Sequence, residues 1–471
     1  MGSPRSHCYG EFTFGVKALD SLIGFSLMPG STILLTGHPG SGKTILALSM
    51  CYANALRGHP CLYIGFYEDK AKLYTLASRL GMDIGDLESK GLLLFVKFPV
   101  TMSVGDVLDN INSIIKERNF KVVVVDSVTV LLEGARERER AYALNYFYNL
   151  SNIIEGFIIL VAETPYDYKI LMPGGLEFVA DIVLMLKYRV ERGLIDRFLE
   201  IRKARGSPVS IVEIPFTIVE GAGLRLWPPP LLGEVVEDPE ETIVVPCSRL
   251  AKVLSPGTGK LRRSETILIA YPPDARHIYV AAIPAMIILA NRMKALAVSY
   301  KYSEGVARAL LSESVKLILG EDPNVEALVD RHFTIRSVNP FGMSLNQLSA
   351  LELKMLEEGF NANIFHGVDV PMLSFALRDY VPTLYNQRTY IKGRGILNFR
   401  MFSVVDERLY RVNSTLSDAV LRLRLKEGNG GELSYELYAW RRGFKPQILS
   451  EEDLIACIKE ASALIKARVK T

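Results

Sequence analysis

The chain has 471 residues, 49% of them hydrophobic and 23% charged, with a formal net charge of +3. These are the proportions of a globular protein of two or more domains. So weak a charge neither demands nor excludes a nucleic-acid partner. The longest apolar stretch, Ile278–Ala290, is 13 residues long and contains Pro284, which is too short for a membrane span.

In chain order, Thr32–Leu35 reads as a buried strand and Ile45–Leu48 as the opening of a helix. Between them, Gly37-His38-Pro39-Gly40-Ser41-Gly42-Lys43-Thr44 fits the phosphate-binding P-loop pattern. Glycines let the backbone curl so that successive N–H groups point at phosphate oxygens, and the helix N-terminus adds positive charge there. Gly37, Pro39, Gly40, Ser41 and Gly42 form the cradle. Lys43 is expected to reach the β- and γ-phosphates, and the Thr44 hydroxyl to ligate Mg²⁺.

Cys61–Phe66 is a second strand, followed by Glu68 and Asp69. An acid at the C-terminal end of a parallel strand lies on the ligand-binding rim. Glu68 is expected to polarise an attacking water, and Asp69 to cap a helix over 70–80. Val122–Val125 is a buried strand ending in Asp126, which is placed to hold Mg²⁺ through its water shell. A strand over 156–162 ends in Glu163-Thr164, which reads equally as a γ-phosphate sensor or a plain strand-end turn. Arg197–Gly206 is an alternating strand running into a basic tip, with Lys203 and Arg205 on one face.

A second copy of this pattern follows. Thr32–Thr44 aligns with Thr266–Ile278 at an offset of 234, and Val179–Leu184 aligns with Leu416–Leu421 at an offset of 237. In the second copy the P-loop is lost. Tyr271 replaces Gly37, Asp274 replaces Gly40, Arg276 replaces Gly42, His277 replaces Lys43 and Ile278 replaces Thr44. Tyr302 and Ser303 stand at the Glu68 and Asp69 positions, Trp440 replaces Lys203, and Arg442 keeps the place of Arg205. No clear partner for the Asp126 strand emerges, Phe365–Asp369 being the nearest candidate. The expected division is an active domain at 1–226, a proline-rich acidic linker at 227–245, and a degenerate domain at 246–471.

These motifs, in this order, make residues 10 to 227 resemble the KaiC-like ATPases of the RecA superfamily. The resemblance implies an α/β fold of two tandem RecA-like P-loop domains, each a mostly parallel twisted sheet flanked by helices. It implies ATP and Mg²⁺ as ligands, with Glu68 catalytic. It also implies a homo-oligomer, as a hexameric ring, in which Lys203 and Arg205 reach a neighbour's nucleotide. The second half is then a pseudo-ATPase domain and a platform for a protein partner. Ser414-Thr415 falls where the family carries a phosphorylated pair, and reads here as a polar turn.

Two other functions fit the sequence. One is a nucleic-acid-stimulated motor or recombinase, using the arginine-rich run 132–140 and the aromatic loop Pro165–Lys169. The other is a scaffold that binds ATP without hydrolysing it. Five cysteines without C-x-x-C spacing and scattered histidines suggest reduced thiols and no metal cluster. With no signal peptide in view, a cytoplasmic protein is expected.

Overall fold

The computed structural model describes residues 10–164, 175–230, 242–257, 260–275, 277–427 and 433–469. The chain divides into two units, Met1–Pro228 and Pro229–Thr471. Each is an α/β unit built on one large, mostly parallel sheet.

In the first unit the strands are β1 (Ser31–Gly37), β2 (Cys61–Gly65), β3 (Leu93–Lys97), β4 (Val122–Asp126), β5 (Phe157–Glu163), β6 (Ile182–Glu191), β7 (Leu194–Ala204), β8 (Glu213–Val219) and β9 (Gly223–Leu226). Their order across the sheet is β3-β2-β4-β5-β1-β6-β7-β8-β9. Strands β1 to β6 pair in parallel, and β6 to β9 finish the sheet as antiparallel ribbons. Both faces of the central strands are covered, which is why they read as unbroken apolar runs. Ile33 and Leu35 join one core, with the helix Lys43–Leu56. Leu34 joins the other, with the helices Val104–Glu117 and Glu137–Ile153.

The second unit begins with a small ribbon of β10 (Thr242–Val244) and β11 (Lys260–Arg262). Its main strands are β12 (Thr266–Tyr271), β13 (Ala295–Ser299), β14 (Phe333–Ser337), β15 (Ala362–His366), β16 (Leu397–Ser403), β17 (Ala419–Glu427), β18 (Leu433–Arg441) and β19 (Gln447–Ser450). They run β14-β13-β15-β16-β12-β17-β18-β19. Strand for strand, this is the order of the first unit, with no counterpart of β9 among the described residues. The register repeats too: Ile33 lies opposite Ile182, and Ile267 lies opposite Ala419.

Four expectations need correction. Both ends of the segment expected as linker are structured. Trp227 donates to the Thr217 hydroxyl at 3.0 Å, and Thr242–Val244 is strand β10. The acidic stretch 231–241 lies outside the described residues, as does Cys8. Ser414 and Thr415 end the helix Glu407–Thr415 instead of forming a turn, and both hydroxyls donate to the Arg411 carbonyl. A strand does occupy the place of β4: it is β15, which ends in His366. Finally, the thiols are not all reduced. Cys51 bonds to Cys61, and Cys247 to Cys457, with Cα separations of 5.8 and 4.8 Å. Odd number and spacing carried no signal because proximity in space, not in sequence, sets the pairing. Disulfides mark oxidising compartments, and also the cell interior of hyperthermophiles. Cysteine usage therefore gives no support to a reducing compartment.

The apolar stretch at 278–290 forms the helix His277–Ala290, packed into the core of the second unit. Among the described residues no helix is long and apolar enough to cross a membrane, and no cluster of metal-ligating side chains is present.

A buried polar network crosses the other core of this unit. Tyr300 donates to one oxygen of Glu352, and Gln387 donates to the other. Arg400 in turn donates to the Gln387 side-chain oxygen at 3.2 Å and to the Tyr380 hydroxyl at 3.4 Å. Burial pushes the Glu352 carboxyl up to about 7, against the pull of Tyr300 and Arg400. The unfolded chain releases this proton near the ordinary 4.5, whereas the folded chain keeps it. The contribution to stability is therefore full below 4.5 and is lost as pH rises to about 7. Denaturant melts across that window should show Glu352→Gln flattening this fall in stability relative to wild type.

Candidate functional site

The site grows from the end of β1. At Gly37 an added Cβ would lie 2.1 Å from the Leu186 carbonyl oxygen of β6, so no other residue fits. Gly42 has φ +109° and caps the helix Lys43–Leu56, a left-handed conformation that glycine takes without a steric cost. Between them the loop folds over Lys43. The Lys43 ammonium donates to the carbonyls of Gly37 at 2.8 Å and His38 at 2.9 Å. Burial lowers its pKa, while the charges of Glu163 and Asp126 hold it up.

Thr44 follows on the helix and reaches across to β4. Its hydroxyl donates to Asp126 Oδ2 at 2.8 Å. Sequence reading missed the second partner: the Tyr63 hydroxyl donates to the same oxygen at 2.7 Å. The signal lay in the strand register. Asp126 sits opposite Gly65, two residues beyond Tyr63 on the same face of β2. Burial pushes the Asp126 carboxyl up, and the two hydroxyl donors and Lys43 pull it back. Burial and the Asp126 charge together push the Tyr63 phenol well up.

Two features fit a phosphate with its cation. Ser41 Oγ, inside the loop, is fully buried with no hydrogen-bond partner among the described residues. Lys43 is a buried ammonium whose hydrogen-bond partners in this structure are neutral carbonyls. Buried polar groups are normally satisfied, and buried charges normally paired.

Glu68 is exposed on the rim, and its charge acts on both Asp126 and Tyr63. Asp69 stands at the N-cap of the helix Lys70–Arg79 but makes no capping bond. Its carboxylate pairs with Lys97, which holds it below the usual carboxylate range. The expected cap is thus an ion pair. Thr164 links back to the loop: its hydroxyl bonds the Thr36 hydroxyl at 2.8 Å, and its N–H donates to the Gly37 carbonyl. The Glu163 N–H donates to the Thr129 hydroxyl at 2.9 Å.

Lys203 and Arg205 are anchored on the segment before β6. Lys203 donates to the Glu177 carbonyl at 3.1 Å, and Arg205 pairs with Asp181 at 2.9 Å. A bulge where β6 meets β7 leaves Arg202 unpaired in the ladder beside Lys203. The run 132–140 leads into the helix Glu137–Ile153, where Glu139 accepts from the Arg136 N–H and closes the first turn. Its charges mostly face solvent. The loop Pro165–Lys169 lies outside the described residues.

In the second unit the same crevice is closed by side chains. Tyr271 ends β12, and its hydroxyl lies 3.4 Å from His366 Nε2. His366 occupies the place of Asp126, because it sits opposite Ser299 as Asp126 sits opposite Gly65. Its Nδ1 is 3.1 Å from Ser299 Oγ, and Tyr302 stacks on its ring at 5.2 Å. Ser303, in the place of Asp69, caps the helix Glu304–Leu319. Arg276 is outside the described residues.

Residues 12–230 match the family model described as the KaiC ATPase. The chain is 30% identical over 210 residues to the circadian clock oscillator protein KaiC of Picosynechococcus sp., covering 44% of this chain and 41% of the relative. It is 29% identical over 196 residues to KaiC of Rippkaea orientalis and to KaiC 1 of Synechocystis sp., covering 41% of this chain and 38% of each relative. Residues 12–230 are thus similar in sequence to the ATPase domain of the KaiC family. The matched part spans about two fifths of the length of these relatives.

In the first unit, Asp181 ties the start of β1 to β6. It accepts from the Thr32 N–H at 3.0 Å, and its own N–H donates to the Thr32 carbonyl at 2.8 Å. The second unit repeats this at Asp418 and Thr266, at 2.9 and 2.8 Å. Asp181→Ala leaves a buried N–H unsatisfied and frees Arg205. Denaturant unfolding should show a loss of about 2 kcal/mol from the first unit.

Proposed function

We propose that the first unit binds ATP with Mg²⁺ and hydrolyses it slowly, with one competent site per chain, in a ring-shaped homo-oligomer. The second unit is a pseudo-ATPase domain, serving as a structural tier or a platform for a protein partner. The observation that carries this reading is the 2.8 Å bond from Thr44 to Asp126 beside a buried Lys43. Two oxygens from two elements are already brought together where a hard cation needs them.

The residues present fit the cation. Thr44 would hold Mg²⁺ directly, and Asp126 through water, with Tyr63 fixing the Asp126 carboxylate. When bound, the ion offsets the negative charge of the β- and γ-phosphates. Lys43 leaves the Gly37 and His38 carbonyls and pairs with phosphate oxygens. The loop N–H groups and the Ser41 hydroxyl turn toward the same anion. Glu68 orients a water in line with the γ-phosphorus. The new bond forms from that water oxygen as the bridging oxygen leaves with the diphosphate. In the ring, Arg205 exchanges Asp181 for a neighbour's γ-phosphate, with Lys203 beside it.

ATP binding and steady-state hydrolysis test this on the full chain. Lys43→Ala should abolish both, and hydrolysis at the wild-type rate in that variant would place the activity elsewhere. Glu68→Gln should keep ATP binding and slow turnover by at least about 100-fold. Tyr63→Phe should raise the Mg²⁺ concentration needed for half-maximal activity by about tenfold. Arg205→Ala should bind ATP but fail to hydrolyse it, and mixing it with Lys43→Ala should restore turnover if the finger acts across subunits. Strong stimulation of the wild type by an oligonucleotide would favour a motor over a switch or scaffold.

A further inference from the structure

The two copies differ at one pair of positions inside the sheet. In the first unit Tyr63 on β2 lies opposite Phe95 on β3, and their rings stack at 6.0 Å. Both are buried, at 1% and 8% exposure, beneath the helices that follow β1 and β2. In the second unit the residues at these register positions are Ala297 on β13 and Ile335 on β14. Two aromatic rings are thereby reduced to a methyl group and a branched aliphatic chain. Close-packed interiors do not leave such space unless something fills it.

In the second unit no aromatic ring takes their place at these two register positions. Ala297, mid-strand on β13, and Ile335 are only partly buried, packed at the edge of the core. They line a cavity of about 60 Å³ that opens to solvent. Ala281 and Pro284 of the helix His277–Ala290 form one wall, and Leu310 of the helix Glu304–Leu319 forms another. None of the lining side chains is a lysine, arginine, aspartate or glutamate. Polarity is confined to one corner, where Ser299, Tyr302 and His366 meet. That corner is where Tyr63 reaches Asp126 in the first copy.

We propose that the second unit binds a small uncharged ring compound here, phenol-like in class: a planar apolar body with one hydroxyl or carbonyl group. The ring shape follows from the two side chains lost, Tyr63 and Phe95 in the first copy, whose place the ligand takes. The chemistry follows from the lining. Apolar walls with a few convergent polar groups at one end are what small-molecule sites use. Dry apolar cavities in proteins do take up aromatic rings. A charged ligand would be desolvated against these walls with no countercharge among them. The single polar group of the ligand meets Ser299, Tyr302 or His366. The nucleotide crevice of this unit, closed by Tyr271, is thus succeeded by a neighbouring site of different chemistry.

The test titrates phenol, and separately benzoate at pH 8, into the full-length chain with isotope-labelled isoleucine methyl groups. Phenol should bind saturably and shift the methyl resonances of Ile335 and Ile364, and benzoate should bind at least tenfold more weakly. Ala297→Tyr restores the ring of the first copy and should weaken phenol binding at least tenfold. Ile335→Phe refills the slot from the other strand and carries the same expectation should the tyrosine variant fail to fold by circular dichroism. No saturable shift at Ile335 and Ile364, phenol binding unchanged in the folded refilled variants, or benzoate binding as tightly as phenol would each overturn the proposal.

Discussion

Everything at the site hangs from one buried strand held between two parallel neighbours. Strand β1 contributes no exposed residue, pairs with β5 on one side and β6 on the other, and is pinned at its start by Asp181. With the strand so fixed, the position of its last residue is fixed as well. What that residue is then decides what the unit is for. Glycine lets the chain press against the Leu186 carbonyl and curl into a loop that the Ser41 N–H closes on the His38 carbonyl. Tyrosine, at the same point of β12, sends a ring across the crevice to His366. One sheet order with one pinning aspartate per copy thus ends in an open glycine loop in one unit and in a tyrosine-plugged crevice in the other.

The cost of the open cradle is visible in the first unit. A buried ammonium and a buried hydroxyl without a partner among the described residues stand two positions apart, facing the half-buried Asp126 carboxylate. Local rules of stability are broken there, which is the usual mark of a functional site. The second unit replaces these groups with rings and a histidine–serine contact. It keeps a polar network elsewhere, around Glu352 and Arg400, in which Tyr300, Gln387 and Tyr380 link the two charges. Such buried networks help specify a core.

Legibility in the sequence followed range. The P-loop, the run of valines before Asp126 and the duplication were readable because each is written in consecutive residues. The contacts that complete the site were not, because they join strands adjacent in space alone. Tyr63 reached Asp126 only once β2 and β4 were in register. The match of Phe365–Asp369 to the Asp126 strand stayed weak because His366 stands 240 residues after Asp126, while the strand before it keeps the offset of 234, as from Gly65 to Ser299. A six-residue difference in the intervening segment broke the alignment at the place where the chemistry changed. The disulfides were hidden for the same reason.

The bond between Cys247 and Cys457 joins residues 210 positions apart, near the two ends of the second unit. Every strand from β11 to β19 lies between them. Topologically this unit is a ring closed on itself, not a chain with two ends. In a chain-entropy account, closing so long a loop removes about 5 kcal/mol of freedom from the unfolded ensemble. It also means that one backbone cut anywhere within the circuit leaves a single covalent molecule, whose halves separate only when the sulfurs are reduced.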